Sequence, residues 1–359
     1  MFIYNKKYLS ILSIVLCLFS FVYSDRFVYA ASKEDAELFA QEYKKTSENY
    51  NIDHGEMLYI NNVPDKEIII DVDMSTDVDD VCALSIACAL DSLEVISLSA
   101  VGISVNSSDG THIEALEGLL DSYNKKDVPI GTCTGEFIDT SPYWNTLSDY
   151  KIVDHDIMNA VSLYRKILND SNDYVDIVTT GFLTNISALL QSEPDNISPL
   201  SGMELVKEKC GQLYITGGSM DNGYDSNFGF TEEAISSIRY VNDNWPLPIC
   251  YLTNDSGSME VGDELQKVDI YRSDASTNAL YAFGADNGRA AWDPFAVYVC
   301  AYGSGKSGNI RYKRINTIFY KDGTFLFEDN KEGRHYRAYR SLDDSNYEDR
   351  MESLLLFHL

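Results

Sequence analysis

The sequence predicts an α/β fold: a doubly wound, mostly parallel open sheet with helices on both faces and a small C-terminal β-hairpin. Short, continuous apolar runs alternate with amphipathic stretches along the chain, and continuous apolar strands are typical of a parallel sheet buried on both faces. No Pro- or Gly-rich linker divides residues 60–310, which favours a single domain. Near the end, Asp322-Gly323 separates two apolar runs and indicates a hairpin turn.

The elements follow one another in a regular order. The first half predicts strand Ile68–Ile70, helix Val81–Leu90, strand Leu93–Val101, helix Ile113–Leu120 with His112 on its surface, and strand Val128–Ile130. The second half predicts strand Val175–Val178, helix Asn185–Gln191, strand Gln212–Ile215, helix Thr231–Tyr240, strand Pro248–Leu252 and a hairpin of Ile318–Tyr320 with Thr324–Phe327. Ligands of such sheets bind beyond the carboxyl ends of the strands, so the functional residues are expected there.

The N-terminal region predicts export. Residues 1–30 are typical of a secretory signal peptide, with Lys6 and Lys7 before an apolar stretch and cleavage near Ala30 or near Ser24. The apolar stretch of about 14 residues is shorter than the ~20 that span a bilayer, which disfavours an uncleaved anchor. We therefore expect a secreted or cell-surface protein without stable membrane association after cleavage. Residues 31–66 predict a helical lead-in, and residues 67–359 the α/β domain.

Composition restricts the partners. The chain of 359 residues is 45% hydrophobic and 23% charged, as a globular protein is, and its 28 basic against 56 acidic residues give a net charge of −28. Such a charge repels a phosphate backbone, so we expect no nucleic acid partner. The six cysteines after the leader are too few for a disulfide scaffold and form no metal-binding spacing. Buried free thiols are expected, although one bridge involving Cys210 and Cys250 remains open.

An acidic cluster follows the first strand. Five carboxylates lie within ten residues, where the strand ends and a helix begins: Asp71, Asp73, Asp77, Asp79 and Asp80. Like charges this close raise one another's pKa, and a hard cation would neutralise them. With five histidines in the whole chain and no His or Cys cluster, oxygen ligands favour Ca²⁺ or Mg²⁺ over Zn²⁺, and Ca²⁺ outside the cell.

Other interpretations of this cluster remain. The carboxylates could complement the helix N-terminus or form a solvated loop. A strand followed by Asp71-Val72-Asp73 also resembles the motif of haloacid-dehalogenase-type phosphatases, in which Asp71 would be the nucleophile and Asp73 the acid/base. That motif leaves the three later aspartates unexplained.

Four segments in order resemble the nucleoside hydrolase family. They are Asp71 through Leu84, Val178 through Asn185, Ile215-Thr216-Gly217-Gly218 with Asp225-Ser226-Asn227, and Ala291-Trp292-Asp293-Pro294 through Val297. The resemblance implies hydrolysis of the bond between ribose and a base through an oxocarbenium-like sugar. It implies Asp73 as the base that activates a metal-bound water and as a calcium neighbour, with Asp80, Asp293 and the Thr180 carbonyl as further calcium ligands. Asp293 also fits a helix N-cap before Pro294.

The resemblance also implies ribose contacts. They are Asp79 and Asn106 at the 2′- and 3′-hydroxyls, Asn227 near the metal, and Asp225 at the 5′ end, with Asn222 as a further 5′ contact. A lone asparagine such as Asn106 is otherwise a common turn residue. Two features depart from the family pattern on the 5′ side: the segment from Gly218 to Asp225 is short, and Asp225 stands where glutamate is usual.

The base side of the site is expected to centre on Trp292. Many members carry a histidine acid just before the C-terminal aspartate, and an indole cannot replace it as a proton donor. The Trp-Asp form resembles the purine-preferring branch, in which the ring stacks on the base; a purely structural tryptophan is the alternative.

We therefore expect an exported, calcium-dependent N-ribohydrolase acting on ribonucleosides. A nucleoside- or sugar-binding protein without turnover is the second hypothesis, because the histidine is missing and Met74 replaces the usual proline. The sequence leaves a homo-oligomer open.

Overall fold

The computed structural model describes residues 66–133, 135, 139–268, 274–303 and 309–357. The predicted signal peptide and residues 31–65 of the helical lead-in lie outside these ranges.

The strands are β1 Lys66–Val72, β2 Ile96–Ile103, β3 Ile130–Thr132, β4 Ile157–Asn159, β5 Val175–Thr179, β6 Cys210–Thr216, β7 Gly223–Tyr224, β8 Ile249–Leu252, β9 Glu260–Val261, β10 Arg289–Ala290, β11 Ile310–Phe319, β12 Thr324–Asp329 and β13 His335–Arg340. The helices are α1 Asp79–Ser92, α2 Thr111–Ser122, α3 Trp144–Ser148, α4 Ala160–Asp170, α5 Thr184–Gln191, α6 Gly202–Lys209, α7 Ser226–Gly229, α8 Glu232–Asn244, α9 Asp263–Lys267, α10 Ala275–Phe283, α11 Trp292–Tyr302 and α12 Ser345–Leu355.

The main sheet has eleven strands in the order β4-β3-β2-β1-β5-β6-β8-β13-β11-β12-β7. Neighbours from β4 to β13 run parallel, and β11, β12 and β7 complete it in antiparallel fashion. The predicted doubly wound, mostly parallel fold is confirmed. A separate antiparallel pair, β9 and β10, lies outside this sheet.

The predicted C-terminal hairpin is present and is continuous with the main sheet. Its turn contains Gly323 at a φ of 82°, a conformation that favours glycine. Strand β13, which follows the hairpin, pairs with β11 on one side and in parallel with β8 on the other. The hairpin therefore extends the main sheet. Strand β13, which the sequence pattern did not predict, connects the hairpin to β8.

Each face of the sheet carries its own apolar core. Along β1, Ile68, Ile70 and Val72 belong to the core under α1, α2, α10, α11 and α12, whereas Ile69 belongs to the core under α4, α5, α6 and α8. All four side chains are fully buried. The alternation follows from the period of two of a β-strand, and it predicts that Asp71 points toward the second core.

The order of strands reverses at β1, so a ligand site is expected at its carboxyl end. The chain proceeds from β1 through β2 and β3 to β4 on one side, then starts again with β5 on the other side of β1. The crevice outside the carboxyl ends of β1 and β5 is therefore the topological switch point. The acidic cluster begins there.

Two further expectations can be compared with the structure. His112 is buried, not on the surface: its Nδ1 lies 2.8 Å from the Ser107 hydroxyl, and its ring packs against Trp144 of the unpredicted helix α3. All six cysteines of the described residues are free and buried. Within the described ranges, no helix has the length and apolar character needed to cross a membrane.

Candidate active site

Asp71 is a structural carboxyl behind the site. As the strand alternation predicts, it faces α4 and α5, where its Oδ2 accepts hydrogen bonds from the Tyr164 hydroxyl and from Asn185 Nδ2 at 2.9 Å. Asp71 is fully buried, and burial raises its pKa to about 7. A carboxyl enclosed in this way cannot reach a substrate, which excludes it as the nucleophile of a dehalogenase-type phosphatase.

The turn after β1 holds Asp73 against the end of β5. A Cβ at Gly181 would lie 2.6 Å from the Asp73 Cβ, so only glycine allows this approach. Met74 has a φ of 47°, and its amide donates to Asp80 Oδ2 at 2.6 Å while its carbonyl accepts from the Trp144 indole at 2.7 Å. A proline, whose ring fixes φ near −65°, could not adopt this conformation. The turn therefore differs from the form expected of family members that carry proline here.

Four carboxyls meet beside this turn, three from the acidic segment after β1 and one from far along the chain. Asp79 and Asp80 begin α1, and Asp293 lies in the first turn of α11. The carboxyls of Asp73 and Asp293 lie within hydrogen-bonding reach of Asp80. We call Asp73, Asp79, Asp80 and Asp293 the carboxylate cluster.

The environment of the carboxylate cluster opposes its negative charge. Burial is the main factor that raises the pKa of each of its members. Repulsion by neighbouring carboxylates raises the pKa values of Asp73, Asp79 and Asp293 further, whereas Asp80 is partly compensated by hydrogen bonds from the Thr180 hydroxyl at 2.6 Å and the Met74 amide. Additional positive charge at this place would stabilise the ionised cluster.

The donor chemistry fits a hard cation, but a complete coordination shell is not formed. All candidate ligands are oxygens, as Ca²⁺ and Mg²⁺ prefer. Within the ranges that the structure describes, no three Asp, Glu, His or Cys side chains surround a common point as metal ligands would. The carboxyls instead approach one another, and Asp80 accepts hydrogen bonds from the Met74 amide and the Thr180 hydroxyl.

Asn227 and Asp225 stand beside the cluster. Asn227 Nδ2 donates to the Thr180 carbonyl at 2.7 Å, which joins a residue that the resemblance assigned to the ribose with one that it assigned to the metal. Asp225 caps the short helix α7: its Oδ1 accepts from the Asn227 amide at 2.9 Å, and its Oδ2 accepts from the Gly218 amide and Asn254 Nδ2, both at 3.0 Å. In this arrangement Asp225 orients Asn227.

Asn106 and Asn222 make hydrogen bonds to other loops. Asn106 Nδ2 donates to the Gly135 carbonyl at 2.6 Å, just beyond the carboxyl end of β2. Asn222, at a φ of 63°, accepts from the Phe327 amide of β12 at 2.5 Å. These contacts do not bring either side chain to the carboxylate cluster.

Trp292 is the first residue of α11 and precedes Asp293 directly. Its indole nitrogen donates to the Asn254 carbonyl at 3.1 Å, its ring is partly exposed, and the Arg289 guanidinium lies 5.1 Å from the ring centre. The N-cap of α11 is Ala291 and makes no side-chain capping bond. Asp293 is therefore not the cap, and its carboxyl is available to the cluster.

Several residues of the site were not predicted from the sequence. Tyr164 and Asn185 hold Asp71, Asn254 bonds to both Asp225 and Trp292, and Arg289 pairs with Asp77. Only Asn185 lay in a segment that the sequence marked, where it had no assigned role. A single polar residue in a loop gives no periodic signal, so sequence patterns could not identify the others.

Comparisons with known proteins identify the family and the fold. The family model described as inosine-uridine preferring nucleoside hydrolase matches residues 68–245, about half of the chain. The inosine-uridine preferring nucleoside hydrolase from Bacillus anthracis superposes with a TM-score of 0.60 at 13% identity, over 81% of this chain and 99% of that one. The purine-preferring ribonucleoside hydrolase from Gardnerella vaginalis gives 0.60 at 17% identity, over 81% and 98%.

A third structure covers more of the chain. The type III effector protein XopQ, solved in complex with adenosine diphosphate ribose, has a TM-score of 0.58 at 14% identity over 89% of this chain and 97% of its own. No curated protein sequence matches significantly. At these identities the structural likenesses show the fold, and the family model identifies the relationship within it. The chain therefore belongs to the nucleoside hydrolase family and is a hydrolase that acts on N-glycosyl compounds.

Proposed function

We propose that the protein is an exported, calcium-dependent N-ribohydrolase that cleaves ribonucleosides, with a preference for purines, to ribose and free base. The observation that carries the proposal is the approach of Asp293 to Asp73 and Asp80. Residues so far apart in the sequence bring buried like charges together at a cost in stability, and the common function of such a cluster is to bind a cation.

Asp73 is the proposed base. Its Oδ1 accepts from the Ser75 amide at 3.0 Å, and Gly181 packs against its Cβ, so the carboxyl has a fixed position at the end of β1. Asp80, Asp293 and the Thr180 carbonyl, together with Asp73, would hold the ion. When bound, Ca²⁺ supplies the positive charge that neutralises the cluster and acidifies a water molecule. In this position Asp73 would accept the proton of the attacking water.

The ribose would bind between Asp79 and Asn227. The sugar hydroxyls would replace hydrogen bonds such as the one from Asn227 to the Thr180 carbonyl. Binding energy gained there can favour the strained, positively charged sugar of the transition state. Asn106, Asp225 and Asn222 remain proposed contacts, with Asp225 acting mainly through Asn227.

Trp292 would stabilise the departing base by stacking, since the indole offers no acidic proton. A purine overlaps the ring more than a pyrimidine does, which supports the proposed preference. Export is proposed from the leader in residues 1–30, and N-terminal sequencing of the protein recovered from medium or cell surface would identify Ala31 or Asp25 as the first residue.

Ribose release from inosine, adenosine and uridine tests the proposal. The protein in Ca²⁺ is expected to release ribose from all three, fastest from the purines, and excess chelator is expected to abolish release. Asp73→Asn should lower kcat by about a thousandfold or more, because it removes the base. The control Asp176→Asn alters a buried carboxylate paired with Lys66 at 2.9 Å, remote from the site, and should retain the wild-type kcat. Binding of inosine without ribose release, or release of phosphate from sugar phosphates, would contradict the proposal.

A further inference from the structure

Asp77 belongs to the acidic loop, but it is engaged outside the carboxylate cluster. Its two oxygens pair with Arg289: Oδ1 accepts from Nε at 2.8 Å, and Oδ2 pairs with Nη2. The Tyr143 hydroxyl donates to the Asp77 carbonyl at 2.6 Å, so the loop is also fixed from the side of α3. A bidentate pair of this kind restricts the direction of the guanidinium as well as its distance.

Arg289 lies close to two aromatic rings. Its guanidinium carbon is 5.1 Å from the centre of the Trp292 ring and 5.5 Å from that of Phe283, distances at which a cation is attracted to an aromatic face. The backbone of Arg289 is held in β10, opposite Val261 of β9, and the Ala291 amide donates to the Met259 carbonyl at 2.7 Å. Both the backbone and the head group of Arg289 are therefore fixed beside Trp292.

We propose that Arg289 is a positioning residue for the base side of the active site: anchored by Asp77, it holds the Trp292 indole in the orientation that stacks on the leaving base. The inference rests on the proposed function, because it assumes that Trp292 contacts the base. It assigns Asp77 a role distinct from metal or ribose binding, and it couples the loop that carries Asp73 to the residue that receives the base.

Lysine cannot replace Arg289 in this role. Its ammonium is a point charge without the planar fork that engages both carboxylate oxygens and also contacts an aromatic ring. Loss of either partner of the pair should therefore loosen the indole to a similar extent, while its hydrogen bond to the Asn254 carbonyl remains. Because Asp77 acts through Arg289, the two substitutions should not be additive.

The test uses Arg289→Gln, Arg289→Lys, Asp77→Asn and the double variant Arg289→Gln/Asp77→Asn. A matched control exists in β12 and β13, where Arg337 pairs with both oxygens of Asp329 and lies 5.1 Å from the Tyr339 ring centre. Arg337→Gln removes the same kind of contact away from the carboxylate cluster.

The first readout is acrylamide quenching of tryptophan fluorescence. The chain has three tryptophans, and Trp144 and Trp245 are 3% and 0% exposed, so Trp292 dominates the quenchable signal. Arg289→Gln, Arg289→Lys and Asp77→Asn should each raise the quenching constant above that of the wild type. Arg337→Gln should leave the quenching constant unchanged. This readout does not require turnover.

The second readout is KM and kcat for inosine and uridine. We expect KM for inosine to rise by roughly two- to tenfold in each single variant, the size of a lost aromatic contact, with a smaller change for uridine and with the double variant no worse than the singles. Unchanged quenching, or effects of the two substitutions that multiply, would overturn the inference. Absence of ribose release by the wild type would defeat the proposed function, and the quenching result would still decide whether Arg289 positions Trp292.

Discussion

Asp80→Asn is expected to change stability in opposite directions with and without calcium. Asparagine has nearly the shape of aspartate and can satisfy the same neighbours: its oxygen can accept from the Met74 amide, and its NH₂ can donate to the Thr180 hydroxyl, which turns to accept. The substitution therefore removes one negative charge from the carboxylate cluster without leaving a buried polar group unpaired.

The magnitude follows from the surroundings of Asp80. Two unit charges 4 Å apart repel by about 4 kcal/mol at an effective dielectric constant of 20. The raised pKa values of the cluster mean that part of this repulsion is already relieved by protonation. We therefore expect Asp80→Asn to raise the free energy of unfolding in chelator by about 1–3 kcal/mol. In calcium at a thousandfold excess over Kd, the wild type gains about 4.1 kcal/mol, and a variant without one ligand loses most of this, more than the roughly 1–3 kcal/mol that it gains in chelator.

Thermal and urea unfolding in chelator and in CaCl₂ measure both effects. The wild type should be stabilised by calcium, and Asp80→Asn should be more stable than the wild type in chelator and less stable in calcium. The control Asp176→Asn leaves the Lys66 ammonium without its carboxylate partner, so it should lose the same stability in both conditions. If Asp80→Asn shifts the unfolding midpoint equally in both buffers, the cation argument fails.

Three further predictions concern stability and base preference. Burial next to Asp263 raises the pKa of Glu352 to about 8, so the folded protein holds a proton that the unfolded chain releases. The free energy of unfolding should therefore fall as pH rises from about 4.5 to 8. Glu352→Gln, which imitates the protonated acid, should flatten this part of the pH profile measured by urea unfolding. Burial lowers the pKa of His335 to about 4, and its Nδ1 accepts a hydrogen bond from the Ile249 amide. The free energy of unfolding should therefore also fall as pH drops from about 6.5 to 4. His335→Asn should weaken this pH dependence, and a pH dependence equal to that of the wild type would contradict the assignment. Trp292→Ala should raise KM for inosine by roughly two- to tenfold with a smaller effect on uridine, and equal effects on the two substrates in steady-state assays would argue for a structural tryptophan.

The first strand and its acidic loop could be predicted because their signals are local. A continuous apolar run such as Ile68–Ile70 specifies a buried strand, and carboxylates directly after it must lie at the carboxyl end of the sheet. The approach of Asp293 to this place needed the family resemblance, since no local pattern relates residues so distant in sequence.

The remaining parts depend on long-range contacts. Strand β13 is specified by pairing with β8 and β11. Half of its residues are buried, and their order along the strand does not alternate regularly between buried and exposed. His112 was placed on the surface because α3, which covers it, has only five residues and no amphipathic repeat. Arg289 depends on contacts with Asp77 and Trp292 that no sequence window contains. Sequence patterns and the family resemblance thus indicated the carboxylates of the candidate site, but not Tyr164, Asn254 or Arg289, which hold residues beside them.

A crystal structure of the protein grown in CaCl₂, with the ion identified by anomalous scattering, tests the central claim most directly. The account predicts one calcium ion with carboxylate oxygens of Asp73, Asp80 and Asp293 and the Thr180 carbonyl at about 2.3–2.6 Å. Electron density without an ion among these oxygens, at calcium concentrations that support ribose release, would contradict it.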